Sequence, residues 1–411
     1  MRSIGRHTMA DRTALYDAHR AAGARFIEFG GWEMPLQFTG IVGEHLAVRS
    51  SVGVFDVSHM GKLLVEGREA HGFLDGHSAN AIPAKAGRAR YTHLLREDGT
   101  ILDDVIATCL DPDRYLVVCN AGPRPAVVAW LGARRRGDVR VTDLTGAVLC
   151  LALQGPRAPE LLQRFTSSDV IAMRSFDAAV IRFGPPAEGV RRPGAAPAPA
   201  PAVPQEIKGW GSTRMADPRA EPGVSTGDAT GEVPLLVTRT GYTGEPGFEL
   251  FPHEGEGPWV WESLLAEGAD LGIQRIGLGA RDTLRLEKGY LLAGQDFDGR
   301  QTPLEVNSEW VVKWDRPFVG REALEAQRSR GDYPRLVGLR MEGRGIPRHG
   351  HAVHGERGPV GTVTSGTLSP SLRVGIALAS LAPFHGDVGT RVRIEIRGGL
   401  LAAEVVRLPF L

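Results

Sequence analysis

Two adjacent acids, Asp103 and Asp104, interrupt the otherwise apolar segment ILDDVIATCL. At strand period Asp103 shares a face with Ile101, Val105, Ala107 and Cys109, and Asp104 shares the other with Leu102, Ile106, Thr108 and Leu110. Both faces read as buried. A carboxylate there is costly without a hydrogen-bond or charge partner, and desolvation raises its pKa, the condition of a group that handles a proton. The same acids could instead cap a turn after Asp98-Gly99 or pair with structural arginines, and spacing leaves both readings open.

Two further segments carry polar groups at suggestive spacing. GYTGEPGFEL, from Gly241 to Leu250, combines glycines with Tyr242, Thr243, Glu245 and Glu249. Glycines let a backbone approach a ligand closely, and a carboxylate behind them can take two parallel N–H donors from a flat heterocycle such as a pterin. The alternative is a glycine-rich hairpin entering a strand. GLGARDTLRLEKG, from Gly277 to Gly289, predicts a helix from about Ala280 to Lys288, closed by Gly289. Arg281 and Arg285 then share a face, and Arg281 could meet a polar ligand near the helix start. Asp282 and Arg285 equally suit a solvated i,i+3 pair.

Other chemistries find no support. GLGARD has Asp282 where a dinucleotide fingerprint needs its third glycine, and there is no phosphate loop, HExxH or GxSxG. His45 and His59 have no partner at metal spacing and read as structural imidazoles.

The elements that must position these groups read as mixed α and β. Helices are expected over 13–22, 41–50, 125–135 and 259–266, with a turn at Gly30 to Pro35 and a strand and turn from Val52 to Met60. Strands are expected over 101–110, 115–119, 147–153 and 235–239. Five short apolar runs between Leu336 and Val406 predict a C-terminal β-barrel or sandwich. Without regular βαβ alternation the fold class is α+β. Pro185 to Glu232, rich in Ala, Pro and Gly, reads as a mobile surface insertion that Trp210 could pin locally.

The 411 residues suffice for two or three domains. Lys+Arg and Asp+Glu balance at 48 each, which argues against nucleic acid or an anionic membrane as the main partner. The 3 cysteines, Cys109, Cys119 and Cys150, sit in apolar runs without CxxC spacing, so a reduced, cytoplasmic setting is expected, with no disulfide framework. No apolar run suits a membrane span or a secretory signal, and Met9 is an alternative start to Met1.

In order along the chain, FGGWEMPLQF, EHLAVRSSVGVFDVSHMGK, YTHLLREDGTILDD, YLVVCNAG, LALQGPRAP, TRTGYTGEPGFEL, GLGARDTLRLEKG, FVGREAL and GTVTSGTLSPSLRVGIAL resemble the aminomethyltransferase, or T-protein, family of the glycine cleavage system. The resemblance implies a three-domain cloverleaf around a central tetrahydrofolate channel. Its expected bounds are 9–56 with 147–255, 57–146 with 256–305, and a barrel over 306–411. It implies transfer of an aminomethyl carbon from the lipoyl arm of a carrier, the H-protein, to tetrahydrofolate, with release of ammonia and without a metal. It makes Asp103 the catalytic acid and Asp104 mainly structural. Glu249 becomes the pterin ligand and Arg281 a polar contact in the channel. Tyr91 and Asn120 line the site, Tyr242 closes one wall, and unidentified basic residues near the mouth hold the glutamate tail.

The chain departs from the family's pattern at Thr100, where a second glycine is usual, and at Ala126-Val127-Val128, where an acid is usual. The insertion is atypical, and with Leu411 last, a ligand contact from a longer tail is expected to be lost or to come from elsewhere. The rival readings are a folate-dependent O- or S-demethylase of the same fold and a folate-binding iron–sulfur assembly factor. The first usually diverges in GYTGEPGFEL and GLGARDTLRLE; the second carries Lys-Gly-Cys-Tyr, where this chain has Lys288-Gly289-Tyr290. A flavin-linked oxidase would need a dinucleotide-binding domain.

Overall fold

The computed structural model describes residues 10–185 and 232–411. The expected insertion, Trp210 within it, and the alternative start at Met9 lie outside the described residues, Pro185 and Glu232 excepted. The chain opens with α1 (Tyr16–Ala21), the hairpin β1 (Arg25–Phe29) and β2 (Trp32–Gln37), and α2 (Ile41–Ser50). It continues through β3 (Gly53–Asp56), β4 (Gly61–Glu66), α3 (Ala70–Gly76), β5 (Arg88–Leu95), β6 (Ile101–Asp111), β7 (Arg114–Cys119), α4 (Arg124–Arg134) and β8 (Arg140–Asp143). Next come β9 (Leu151–Gln154), α5 (Ala158–Gln163), β10 (Ala178–Phe183), β11 (Val233–Thr238), β12 (Gly247–Phe251), α6 (Gly257–Glu267), β13 (Gln274–Ile276) and α7 (Leu278–Glu287). The last part holds α8 (Arg321–Arg330), β14 (Arg335–Met341), β15 (Ala352–Gly355), β16 (Gly358–Leu368), β17 (Gly375–Leu381), β18 (Arg391–Ile396) and β19 (Gly399–Val406).

Three sheets define three lobes. One has the order β10-β11-β12-β9-β3-β13 and is antiparallel except where β13 joins β3. The second, β5-β6-β7-β4-β8, is antiparallel throughout. The third is a closed six-stranded barrel. The α+β class, the three-lobed arrangement and the C-terminal barrel read from the sequence are all present.

Burial follows the alternation of each strand. Leu153, Phe248 and Leu250 lie beneath Leu161 of α5 and Trp261 of α6. The opposite face of this sheet, with Phe55, Ala152 and Phe251, meets Leu64, Leu116 and Val118 of the second sheet and Ala280 and Leu284 of α7. The far face of the second sheet packs Val105 and Val117 under Phe73 of α3 and Val127 of α4. Apolar burial of this extent is the main stabilising term. Beyond the expected division at 255/256, α6 packs on the first sheet through Val260, Trp261 and Leu264, and β13 pairs with β3 of that sheet.

At Gly30 to Pro35 the turn is confined to Gly30 and Gly31, at φ +58° and +85°, while Trp32 to Pro35 already belong to β2. The three cysteines are buried and free. No helix among the described residues is long and apolar enough to cross a membrane.

Candidate active site

Helix α7 sets one wall of the interior. Glu44, fully buried on α2, collects backbone donors: its Oε1 accepts from Phe38, Thr39 and Gly40 N–H, and its Oε2 accepts from Gly277 N–H at 2.8 Å. One carboxylate thus ties the 38–40 loop to the start of α7, where it also suits the positive end of the helix dipole. Gly289, at φ +70°, closes the other end. Arg281, in the first turn, lays its guanidinium 4.2 Å above the ring of Tyr242. Tyr242 is fixed by donating its hydroxyl to the Leu291 carbonyl. Arg281 forms no ion pair among the described residues, though its charge reaches Asp104 and Glu249.

The second sheet supplies the opposite wall. In its register Tyr91 lies opposite Ile106, and His93 opposite Asp104, so Tyr91, His93 and Asp104 share a face. Tyr91 Oη donates to Asp104 Oδ2 at 2.9 Å and lies 3.2 Å from His93 Nε2. Asn120, the first residue after β7, donates its Nδ2 to Asp104 Oδ1 at 2.6 Å. Burial pushes the Asp104 carboxyl up, against the hydrogen bonds from Tyr91 and Asn120 and the charge of Arg281. Burial, then the charge of Asp104, pushes the Tyr91 hydroxyl well up.

Asp103, expected to face the ligand, is turned away from Tyr91 and Asp104. It lies opposite Leu94, on the face that Val105 turns to α3 and α4, and is fully buried. Both its oxygens are taken, Oδ2 by Asn120 N–H and Oδ1 by Asn120 Nδ2, each at 2.8 Å. Burial and then the neighbouring Asp104 charge push it well above the usual carboxylate range. Asp104 is the partly open member of the pair. Alternation had separated the two acids correctly, but which face looked inward depended on the partner sheet. Neither acid caps the turn; Asp98 does, accepting from Thr100 N–H at 3.0 Å.

Glu249 lies on the face of β12 that also carries Phe251, toward the second sheet. Thr240 donates to its Oε2, and burial raises its pKa against that bond and the charge of Arg281. The glycines before it act otherwise than expected. A Cβ on Gly241 would come within 2.0 Å of Gln154 Oε1, and one on Gly247 within 2.5 Å of Gln154 Nε2. They make room for Gln154, whose Nε2 donates to the carbonyls of Thr240 and Phe248 and whose Oε1 accepts from Thr243. The loop that presents Glu249 is built around that amide.

Tyr91, Asp104, Asn120, Tyr242, Glu249 and Arg281 are therefore linked by hydrogen bonds, ring contact or mutual charge, and all are partly open. Asn120 and Arg281 line a cavity of about 430 Å³ together with Phe29, Met60, Arg96 and Phe297. That size and mostly apolar lining, with a few convergent polar groups, suit a small-molecule site. Met60, Phe29 and Arg96 went unnoticed in the sequence, because each reaches the cavity through tertiary packing without a local motif.

The histidines differ. His45 lies 2.8 Å from Thr283 Oγ1 and 3.1 Å from Glu287 Oε2, a structural role as read. His59 is buried edge-on to Phe29, and neither ring nitrogen has a hydrogen-bond partner among the described residues. Arg285 corrects the reading of a solvated pair. It does bind Asp282, but it is fully buried and also reaches Asp296 and Ser365.

Comparison with known proteins agrees with this geometry. Residues 15–184 and 224–316 match the family model of the GCVT N-terminal domain, and residues 335–411 match that of the glycine cleavage T-protein C-terminal barrel domain. An aminomethyltransferase of Geobacillus kaustophilus is 39% identical over 405 residues, covering 98% of this chain and 99% of that protein. One from Halothermothrix orenii is 36% identical over 402 residues, 97% and 99% of the respective chains. The crystal structure of glycine cleavage system aminomethyltransferase T from Bartonella henselae superimposes with a TM-score of 0.80 at 31% identity, covering 98% of each chain.

Proposed function

We propose that this chain, which belongs to the aminomethyltransferase (T-protein) family of the glycine cleavage system, uses Asp104 to move a one-carbon unit from an aminomethyl group on a lipoyl carrier to tetrahydrofolate. The observation that carries the reading is a partly open carboxylate, Asp104, held by Tyr91 and Asn120 in the same interior as Arg281 and Glu249.

The residues fit a reduced pterin. Glu249 accepts a hydrogen bond from protein at Oε2, leaving Oε1 for a ring donor. Arg281, without an ion pair among the described residues, and the ring of Tyr242 offer a cationic and an aromatic surface beside it. When bound, the pterin supplies the amine nucleophile that takes up the carbon. The chain binds and orients it, excludes bulk water, and holds a negative charge where positive charge develops. Asp104, its pKa raised by burial, takes a proton at a carboxylate oxygen and returns it to the departing ammonia. Asp103, through both Asn120 donors, positions the amide that orients Asp104. The products are methylene-tetrahydrofolate, ammonia and the dihydrolipoyl carrier.

The test mixes purified protein, aminomethylated lipoyl carrier and tetrahydrofolate. Ammonia and methylene-tetrahydrofolate are expected in equal amounts, each dependent on the carrier. Methyl transfer from an O- or S-methyl donor with no ammonia would move the protein to the demethylases of this fold.

A further inference from the structure

Beyond Asp104 the hydrogen-bonded chain runs one residue further into the core. His93, on β5 and fully buried, presents Nε2 to Tyr91 Oη at 3.2 Å, and Tyr91 donates to Asp104 Oδ2 at 2.9 Å. The imidazole stacks on Phe297 with ring centroids 6.5 Å apart, and its Nδ1 has no hydrogen-bond partner among the described residues. A phenol has a single proton, whereas an ionised carboxylate can only accept. With Asp104 ionised, that proton lies toward Oδ2, and the hydroxyl meets His93 only as an acceptor. Nε2 therefore carries the proton of the ring. The other tautomer would set two lone pairs against each other and bury an N–H with nothing to receive it. Burial holds the pKa of His93 at about 3, so the ring stays neutral and the arrangement persists through the neutral range.

We propose that His93 is a positioning residue for the reaction: as a fixed Nε2–H donor it locks the Tyr91 hydroxyl toward Asp104 and so keeps that carboxylate in its proton-accepting form. This deepens the proposed role of Asp104 and rests on it. A hydroxyl free to turn accepts from a protonated Asp104 as readily as it donates to an ionised one, whereas a locked one favours only the ionised form. The lock thus opposes burial, which pushes the same carboxyl up. Of the other groups facing Asp104, Arg281 from α7 and the Asn120 amide also favour the ionised form. Asp103, next to it on β6, is turned to the opposite face, and Glu249 of β12 shares the charge of Arg281. The phenols of Tyr91 and Tyr242 are pushed up and stay protonated. None of these groups touches residue 93 except Tyr91, so a change at His93 acts on Asp104 through that hydroxyl.

The experiment follows kcat/KM for tetrahydrofolate against pH in the full-length protein, with aminomethylated lipoyl carrier saturating. His93→Leu removes the donor without adding a polar group, and its acidic limb is expected to move up by about one pH unit, the scale of one hydrogen bond to a charged group. His93→Gln, whose amide can donate again, is expected to return the limb most of the way to wild type. Tyr91→Phe should move it as His93→Leu does, and adding His93→Leu to Tyr91→Phe should move it no further. A limb unmoved in His93→Leu, moved equally by glutamine, or moved additively with Tyr91→Phe overturns the assignment, whatever happens to Tm. Wild type supplies a measurement that no misfolded variant can spoil: nitrogen NMR of the labelled imidazole is expected to show His93 neutral with its proton on Nε2, and a ring protonated on Nδ1 overturns the lock. A silent Asp104→Asn beside an unmoved limb in His93→Leu removes the role of His93 alone. Full turnover in Asp104→Asn removes the proton role of Asp104 and this inference with it.

Discussion

Two arginines one helical turn apart on α7 divide the molecule into two kinds of buried polar region. At the barrel junction Arg285 is saturated: Asp282, Asp296, Ser365 and the Tyr290 carbonyl take its donors at 2.8 to 2.9 Å. Two residues on, Glu287 is matched as fully, accepting from Arg49 at 2.8 Å, Ser371 Oγ at 2.9 Å, His45 and Ser369. Toward the cavity, Arg281 has an aromatic face and distant carboxylates but no ion pair among the described residues. Buried charge that only holds a fold together is fully partnered, whereas charge kept for a ligand is left short of partners. The two side chains start from neighbouring positions on one helix face, so their different fates come from the barrel on one side and the cavity on the other.

That contrast can be broken at several points. The largest effect is expected from Asp104→Asn, lowering kcat by about 10²- to 10⁴-fold with folate binding retained. Asp103→Asn should cost less than about tenfold in kcat and more in stability, since it places a donor against Asn120. Turnover that falls further with Asp103→Asn than with Asp104→Asn would reverse their assigned roles. Arg285→Ala is expected to lower unfolding free energy by about 3–5 kcal/mol in denaturant titrations, because Asp296 is left buried and unpaired. Arg281→Ala should leave stability within about 1 kcal/mol yet weaken folate binding. Equal destabilisation by the two alanines would erase the distinction drawn here. Glu249→Ala is expected to weaken tetrahydrofolate binding by about ten- to a hundredfold, with unchanged affinity counting against its role as pterin ligand.

The smallest effect concerns pH. Burial first, then the charges of Arg281 and Lys62, hold His59 down to about 3, against the pull of Asp56, and burial alone holds His93 at about 3. In the unfolded chain each takes a proton near pH 6.5, so between there and about 3 the unfolded state binds protons first and stability falls as pH falls. Each histidine accounts for about 2 kcal/mol between pH 6.5 and 5. A His59→Gln variant should therefore show a shallower loss of Tm on acidification from pH 7 to 5. A loss as steep as in wild type would mean that His59 has a proton acceptor in the native protein.

Local signals carried much of the architecture. Helix α2 was expected over 41–50 and spans Ile41–Ser50; α7 was expected from 280 and begins at Leu278. Both have a terminal glycine and apolar spacing that depend on nearby residues alone. The barrel strands were legible for the same reason, as alternating runs between turns. What could not be read was any feature decided between elements. The inward face of β6 is set by the sheet that packs on it, and β13 joins β3 in parallel across a long sequence separation. The glycines of GYTGEPGFEL looked made for a ligand because Gln154, their actual neighbour, lies far back in the chain. Of the six candidate site residues named by resemblance, Tyr91, Asn120, Tyr242, Glu249 and Arg281 are brought together with Asp104, whereas Asp103 lies on the other face of β6, and telling the two acids apart needed the register of Tyr91 and Leu94.

The barrel has a further consequence. β14 hydrogen-bonds β17 on one side and β19 on the other, so its ring of strands returns to its own start. No rim of unpaired peptide groups is left there for a foreign chain to zip onto, and this lobe is protected from strand-to-strand aggregation by topology. The open sheets must manage their margins chemically. Among the described residues, β13 and β8 are three and four residues long, and β5 carries Arg88 and Arg90. Short length and positive charge are the usual deterrents to intermolecular pairing. Clumping on partial unfolding should therefore begin at these margins, with the barrel the last lobe recruited.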